Sequence, residues 1–314
     1  MKRILLKVFI FIFIFSIIFH LIPNVFDKHR DAKNWNFIYN EDYSIDILFM
    51  GGSLIFTSLD PNIIDPIVKY DSFNLGSSSQ NIIQAYYNLI EVLRYKKIKL
   101  IVLDVNTIIT EDVKIGFIYN NLSGMYFSEN KINSFLNSIN KNSVSDILDL
   151  SKLSIYEGWS NIACLILKEK FNWKNDIKSF NEILFGDKSI IDNRGFLKRD
   201  KIISMENYNK AKNKKIINKK ISLKNDFFLK SFISLCNENN IDLIFLQTPT
   251  LEKRTIRELD FYEIPYYNFG FSDDNDYYDY EFFSDKVHLS TYGAKKFSRT
   301  FADSLQCFLT LKQY

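Results

Sequence analysis

The chain has 314 residues, 46% hydrophobic and 16% aromatic, enough to build one large domain with a sizeable core. Its formal charge of +3 is close to balanced and offers no basic footprint for nucleic acid. Cys164, Cys236 and Cys307 are widely spaced with no CxxC pair, so buried thiols are expected rather than disulfides or a metal knuckle.

Residues 4–22 are almost wholly apolar, about the length that crosses a hydrocarbon core of ~30 Å as a helix. Lys2, Arg3 and Lys7 flank the start, which keeps the amino terminus cytoplasmic. No small-x-small cleavage site follows, so an uncleaved signal anchor over residues 1–25 is expected, a cleaved signal peptide being the rival. Residues 26–43 are polar and mixed in charge, a juxtamembrane connector. Everything beyond would then lie outside the cytoplasmic membrane, where no ATP or NAD supply is expected.

The folded domain, residues 44–314, opens on SIDILFMGGS. A short apolar run bounded by glycines predicts a buried strand, with Ser53 exposed at its carboxyl end. Asp60-Pro61-Asn62 marks a turn before a short helix at 63–69. A second strand at 72–75 runs into Gly76-Ser77-Ser78-Ser79. Apolar spacing predicts a helix over 80–97, with Ser79 as its cap. The run IKLIVLDV at 98–105 is the strongest buried strand and ends in Asn106-Thr107. Two strand–helix–strand steps in succession imply an α/β fold, a mostly parallel doubly wound sheet between helical layers.

Residues 110–224 break this rhythm and read as a mainly helical insertion over the active edge. Helical pieces are expected at 129–140, 144–153 and 161–170, and the lysines of 210–220 read as a solvated face. The pattern then resumes with a helix at 223–239, strands at 241–247 and 266–269, and an amphipathic helix at 290–308. The acidic run at 273–281 lacks calcium-loop spacing. Neither a dinucleotide nor a phosphate-loop motif occurs, and no zinc pattern is present, so no cofactor and no metal are expected. The aromatic residues Tyr86, Tyr87, Tyr119, Tyr126, Trp159 and Trp173 are expected mostly in the core, with stacking on sugar rings as the alternative.

His20 and His29 belong to the amino-terminal stretch, leaving His288 as the sole imidazole of the folded domain. Asp285 precedes it in SDKVHLSTYGA. On a tight turn that spacing lets the carboxylate accept the Nδ1 proton and leaves Nε2 to face a nucleophile, for which Ser53 is the candidate.

Taken in order, these blocks resemble the SGNH, or GDSL-like, hydrolase superfamily, an α/β/α sandwich. Ser53 in FMGGS matches the first-block nucleophile, with Gly52 where that block usually carries Asp. Gly76 in NLGSSSQ matches the second-block glycine, and Asn106 in LDVNT the third-block asparagine, with Asp104 and Thr107 replacing its usual Gly and Asp. Asp285 and His288 match the last-block DxxH. The resemblance implies catalysis by Ser53, Asp285 and His288, and an oxyanion hole from the Ser53 and Gly76 backbone N–H groups with Asn106 Nδ2.

Anchored domains of this type are similar to the D-alanine-transfer and alginate-acetylation proteins of cell-envelope systems, which work beside a membrane-bound O-acyltransferase. The resemblance therefore implies ester hydrolysis or O-acyl transfer, acetyl being the expected group, on a cell-surface polysaccharide. The altered first and third blocks leave a catalytically decayed scaffold or polysaccharide-binding protein as one alternative. A lipid esterase is another.

Overall fold

A computed structural model describes residues 30–40, 42–111, 113–126, 128–139, 194–212, 217–252, 254–270 and 279–312. Helix α1 (Arg30–Tyr39) leads to strand β1 (Ile47–Met50), then helices α2 (Ser53–Ser58) and α3 (Pro61–Val68) and strand β2 (Ser72–Asn74). Helix α4 (Ile82–Leu93), strand β3 (Leu100–Asp104) and helices α5 (Val105–Ile109), α6 (Ile115–Leu122) and α7 (Glu129–Ser138) follow. Beyond residue 193 come α8 (Met205–Lys212), β4 (Ile217–Asn218), α9 (Leu223–Glu238), β5 (Asp242–Gln247), β6 (Arg254–Thr255), β7 (Tyr266–Asn268) and α10 (Thr291–Lys312).

Five strands form one sheet in the order β2-β1-β3-β5-β7, and every neighbouring pair is parallel. The fold is α/β. A separate two-stranded ribbon pairs β4 with β6. Strand residues alternate between two buried cores. Leu48, Met50, Ile101, Leu103, Leu243 and Phe245 join α4 and α9 on one face. Ile47, Phe49, Leu100, Val102, Ile244 and Leu246 join α3 and α10 on the other. A strand covered on both faces has no polar side to present, so these runs read as continuous apolar stretches.

The strand order decides where a site can form. The chain steps from β1 out to β2, then back past β1 to β3, so the sheet switches direction between β1 and β3. A crevice opens at the carboxyl ends of two such strands because their connections leave toward opposite sides. Gly51-Gly52-Ser53 leaves β1 there and Asn106 leaves β3.

Several local expectations are refined. The connector contains α1, whose Trp35 and Ile38 are 1% and 0% exposed and pack into the first core, since apolar residues three apart share a helical face. Helix α4 is capped by Asn81 in a reciprocal box with Gln84, not by Ser79, which sits at a φ of 53° and so lacks the extended backbone of an N-cap. Asp60 caps α3 by accepting from the Asn62 N–H. Cys236 is buried, and burial pushes its thiol up to about 12, whereas Cys307 is exposed on α10. Lys210, Lys219 and Lys220 are exposed, as a solvated basic face requires. The apolar stretch 4–22, the helical pieces expected at 144–153 and 161–170, Cys164, Trp159 and Trp173 lie outside the described residues. Among those described, no helix is long and apolar enough to cross a membrane.

Candidate active site

Ser53 is the first residue of α2, and the two glycines before it play different parts. Gly51 has a φ of 152°, and a Cβ there would lie 2.6 Å from the Cβ of Asp104 and 2.9 Å from Ile55 Cγ1. Only glycine fits where the chain leaving β1 presses against the end of β3. Gly52 has ordinary backbone geometry, with a φ of −75°, and open space around a notional Cβ.

His288 and Asp285 lie on a tight turn ahead of α10. The Ser284 N–H donates to the His288 carbonyl at 2.9 Å, and Phe283 and Leu289 form an antiparallel bridge that closes the turn. The chain after β5 supports it, the Leu251 N–H donating to the Lys286 carbonyl at 3.1 Å. This arrangement brings three side chains together from positions far apart in the sequence. His288 Nε2 is 2.8 Å from Ser53 Oγ, and His288 Nδ1 is 2.9 Å from Asp285 Oδ2 and 3.0 Å from Oδ1. Asp285 Oδ1 also accepts the backbone N–H groups of Val287 and His288, each at 2.9 Å. Part-burial works against ionisation of Asp285, but the His288 ring hydrogen bond, the Val287 N–H and the histidine's charge outweigh it. Together they hold this carboxyl well below the usual carboxylate range.

Two of the three expected oxyanion donors, Gly76 and Asn106, lie just past the ends of β2 and β3 and are engaged within the protein. The Gly76 N–H donates to Asn74 Oδ1 at 3.1 Å. Asn106 Nδ2 donates to Asp104 Oδ1 at 2.9 Å, and the Asn106 N–H donates to the same oxygen at 3.1 Å. Asp104, the last residue of β3, thus shapes this corner.

Asn74 and Arg199 belong to the site although no motif announced them. Asn74 is fully buried and donates through Nδ2 to the carbonyls of Ile55 and Leu59, both at 3.1 Å, tying the end of β2 to the helix that carries Ser53. Arg199 Nη1 lies 3.2 Å from Asp285 Oδ2. A cleft of about 570 Å³ adjoins the Asp285 side, with Lys201, Ser204, Asn207, Lys210, Ser284 and Lys286 among its lining. Of the aromatic candidates, Tyr126 is 55% exposed and stacks on Tyr39, while Tyr86 and Tyr87 pack against the first core.

Neither a protein-family model nor a curated protein matches the sequence.

Chemically, a hydroxyl hydrogen-bonded to an imidazole whose other nitrogen faces a carboxylate is an activated nucleophile with its base oriented.

Proposed function

We propose that this chain is an SGNH-like serine esterase or O-acyltransferase that works through an acyl-serine intermediate. The observation that carries the proposal is the 2.8 Å contact between His288 Nε2 and Ser53 Oγ, backed by Asp285 on Nδ1. Ser53 Oγ attacks an ester carbonyl as Nε2 takes its proton, and Asp285 steadies the imidazolium. Nε2 then returns the proton to the departing alcohol oxygen, leaving the acyl group on Ser53. Water or a sugar hydroxyl, deprotonated by the same nitrogen, releases it.

The developing oxyanion would be met by the Ser53 and Gly76 N–H groups and Asn106 Nδ2, each such donor being worth ~10²–10³ in turnover. Because Gly76 and Asn106 already donate inside the protein, those bonds have to fork or lengthen as the charge develops. The same engagement favours a second reading, a decayed scaffold that holds polysaccharide without reacting.

With residues 4–22 as a signal anchor, the domain faces outward and the substrate is a cell-surface polysaccharide carrying acyl, expected acetyl, groups. A membrane-bound O-acyltransferase is its expected partner. The test is to incubate the full chain with an activated acetyl ester and an oligosaccharide. Acetylated sugar means transfer, free acetate alone means hydrolysis, and glycan binding with neither product supports the scaffold.

A further inference from the structure

The Asp285 carboxylate has an asymmetry that the three-residue relay does not use. Its Oδ1 accepts two backbone N–H groups and shares the ring proton, whereas Oδ2 shares that proton and otherwise meets the guanidinium of Arg199 at 3.2 Å. The carboxylate is 38% exposed, so burial alone does not hold it in place. Arg199 itself is anchored to the turn's own helix. Its N–H donates to Thr291 Oγ1 at 3.0 Å, and the Thr291 N–H donates back to the Arg199 carbonyl at 2.8 Å. Thr291 opens α10, directly after the turn that holds His288, and its hydroxyl donates onward to Asp200 Oδ1 at 2.8 Å. Further along, the Ile203 N–H donates to the Phe283 carbonyl at 2.9 Å. The 199–203 segment and the catalytic turn are therefore bound to each other as one unit.

We infer that Arg199 is a positioning residue of the triad, fixing the second oxygen of Asp285 so that the His288 ring stays aimed at Ser53. The inference rests on the serine-esterase reading. A guanidinium fork suits this task because it is planar, always charged and directional toward a carboxylate. It has a second effect. A cation beside Asp285 offsets part of the negative charge that faces the His288 ring, so removing it strengthens the field favouring the imidazolium form. Among the described residues, charged groups near the turn include Lys286, paired with Glu252 at 3.1 Å, Asp200 and Lys201 on the Arg199 segment, Lys210 in the adjoining cleft, and Glu281, whose carbonyl accepts from Ser290 Oγ.

The test is the pH profile of Ser53 acylation by a small neutral ester in the full chain, comparing Arg199→Ala, Arg199→Lys and the parent. For Arg199→Ala the plateau is expected to fall by up to about 100-fold, the scale of a roughly ångström-sized misplacement. Its acid limb is expected to move to higher pH. Arg199→Lys keeps the charge, so its limb stays with the parent while its plateau falls. The inference is overturned if Arg199→Ala retains the parent profile, or if both variants lower the plateau alike with neither limb moved. The His288 ring resonance, followed by NMR against pH, reads the same displacement without any turnover. A parent that does not acylate therefore counts against the esterase reading alone, and an unmoved ring titration in Arg199→Ala counts against the role of Arg199.

Discussion

The Asn74 side chain accepts the Gly76 N–H at 3.1 Å and, through its other end, donates to the Ile55 and Leu59 carbonyls. One fully buried carboxamide thus joins the end of β2, the Gly76 N–H and two carbonyls of the stretch that follows Ser53. Asn74→Ala would take one hydrogen bond each from the buried Gly76 N–H and the Ile55 and Leu59 carbonyls, with the Ile55 carbonyl keeping the Leu59 N–H. A loss of about 1–3 kcal/mol is expected, read as a lower urea midpoint with an unchanged slope. An unchanged midpoint would show that these bonds carry no net weight.

The glycine pair gives a paired test. Gly51→Ala forces a Cβ to within 2.6 Å of Asp104 Cβ at a φ of 152°, combining overpacking with backbone strain. A cost above ~2 kcal/mol is expected. Gly52→Ala meets open space and should fall within about 0.5 kcal/mol of the parent. Equal denaturation midpoints for the two variants would contradict the crowded approach of β1's end to β3.

Asp285 makes a prediction about acid. Its carboxyl is held below the usual carboxylate range in the folded chain, so the unfolded chain binds the proton more readily. That contribution to stability is fully present above the unfolded value of about 3.9 and is lost as pH falls from there through the lower folded value. Urea midpoints of the parent should therefore drop as the medium is acidified below about pH 4, and Asp285→Asn should lack this component. A parent and variant with parallel acid profiles would contradict it. At neutral pH the same substitution is expected to lower turnover by ~10³–10⁴-fold, because the ring loses the partner that sets its tautomer.

Much of the sheet was legible because buried parallel strands are short, continuously apolar and closed by glycine or a polar turn. IDILFM, IKLIVLDV and IDLIFLQ all became strands within a few residues of their expected bounds. The meeting of Ser53, His288 and Asp285 was legible for a different reason, since one imidazole falls in the expected domain and a carboxylate precedes it at turn spacing. Asn74 and Arg199 were not, because each acts through a contact with a residue distant in sequence, and neither a lone asparagine nor a lone arginine in a loop carries a spacing signal. Helix α1 carries little sequence signal because its polar composition outweighs the single buried stripe of Trp35 and Ile38. Composition points to Ser79 rather than Asn81 as the cap of α4 because it does not reveal a positive φ.

The relay among Ser53, His288 and Asp285 is tested most directly by a serine-directed fluorophosphonate applied to the full chain, with the adduct mapped by mass spectrometry. The parent should carry one adduct on Ser53, while folded Ser53→Ala and His288→Ala should carry none. Robust labelling of Ser53→Ala, or a folded parent that takes up no probe, would contradict the account.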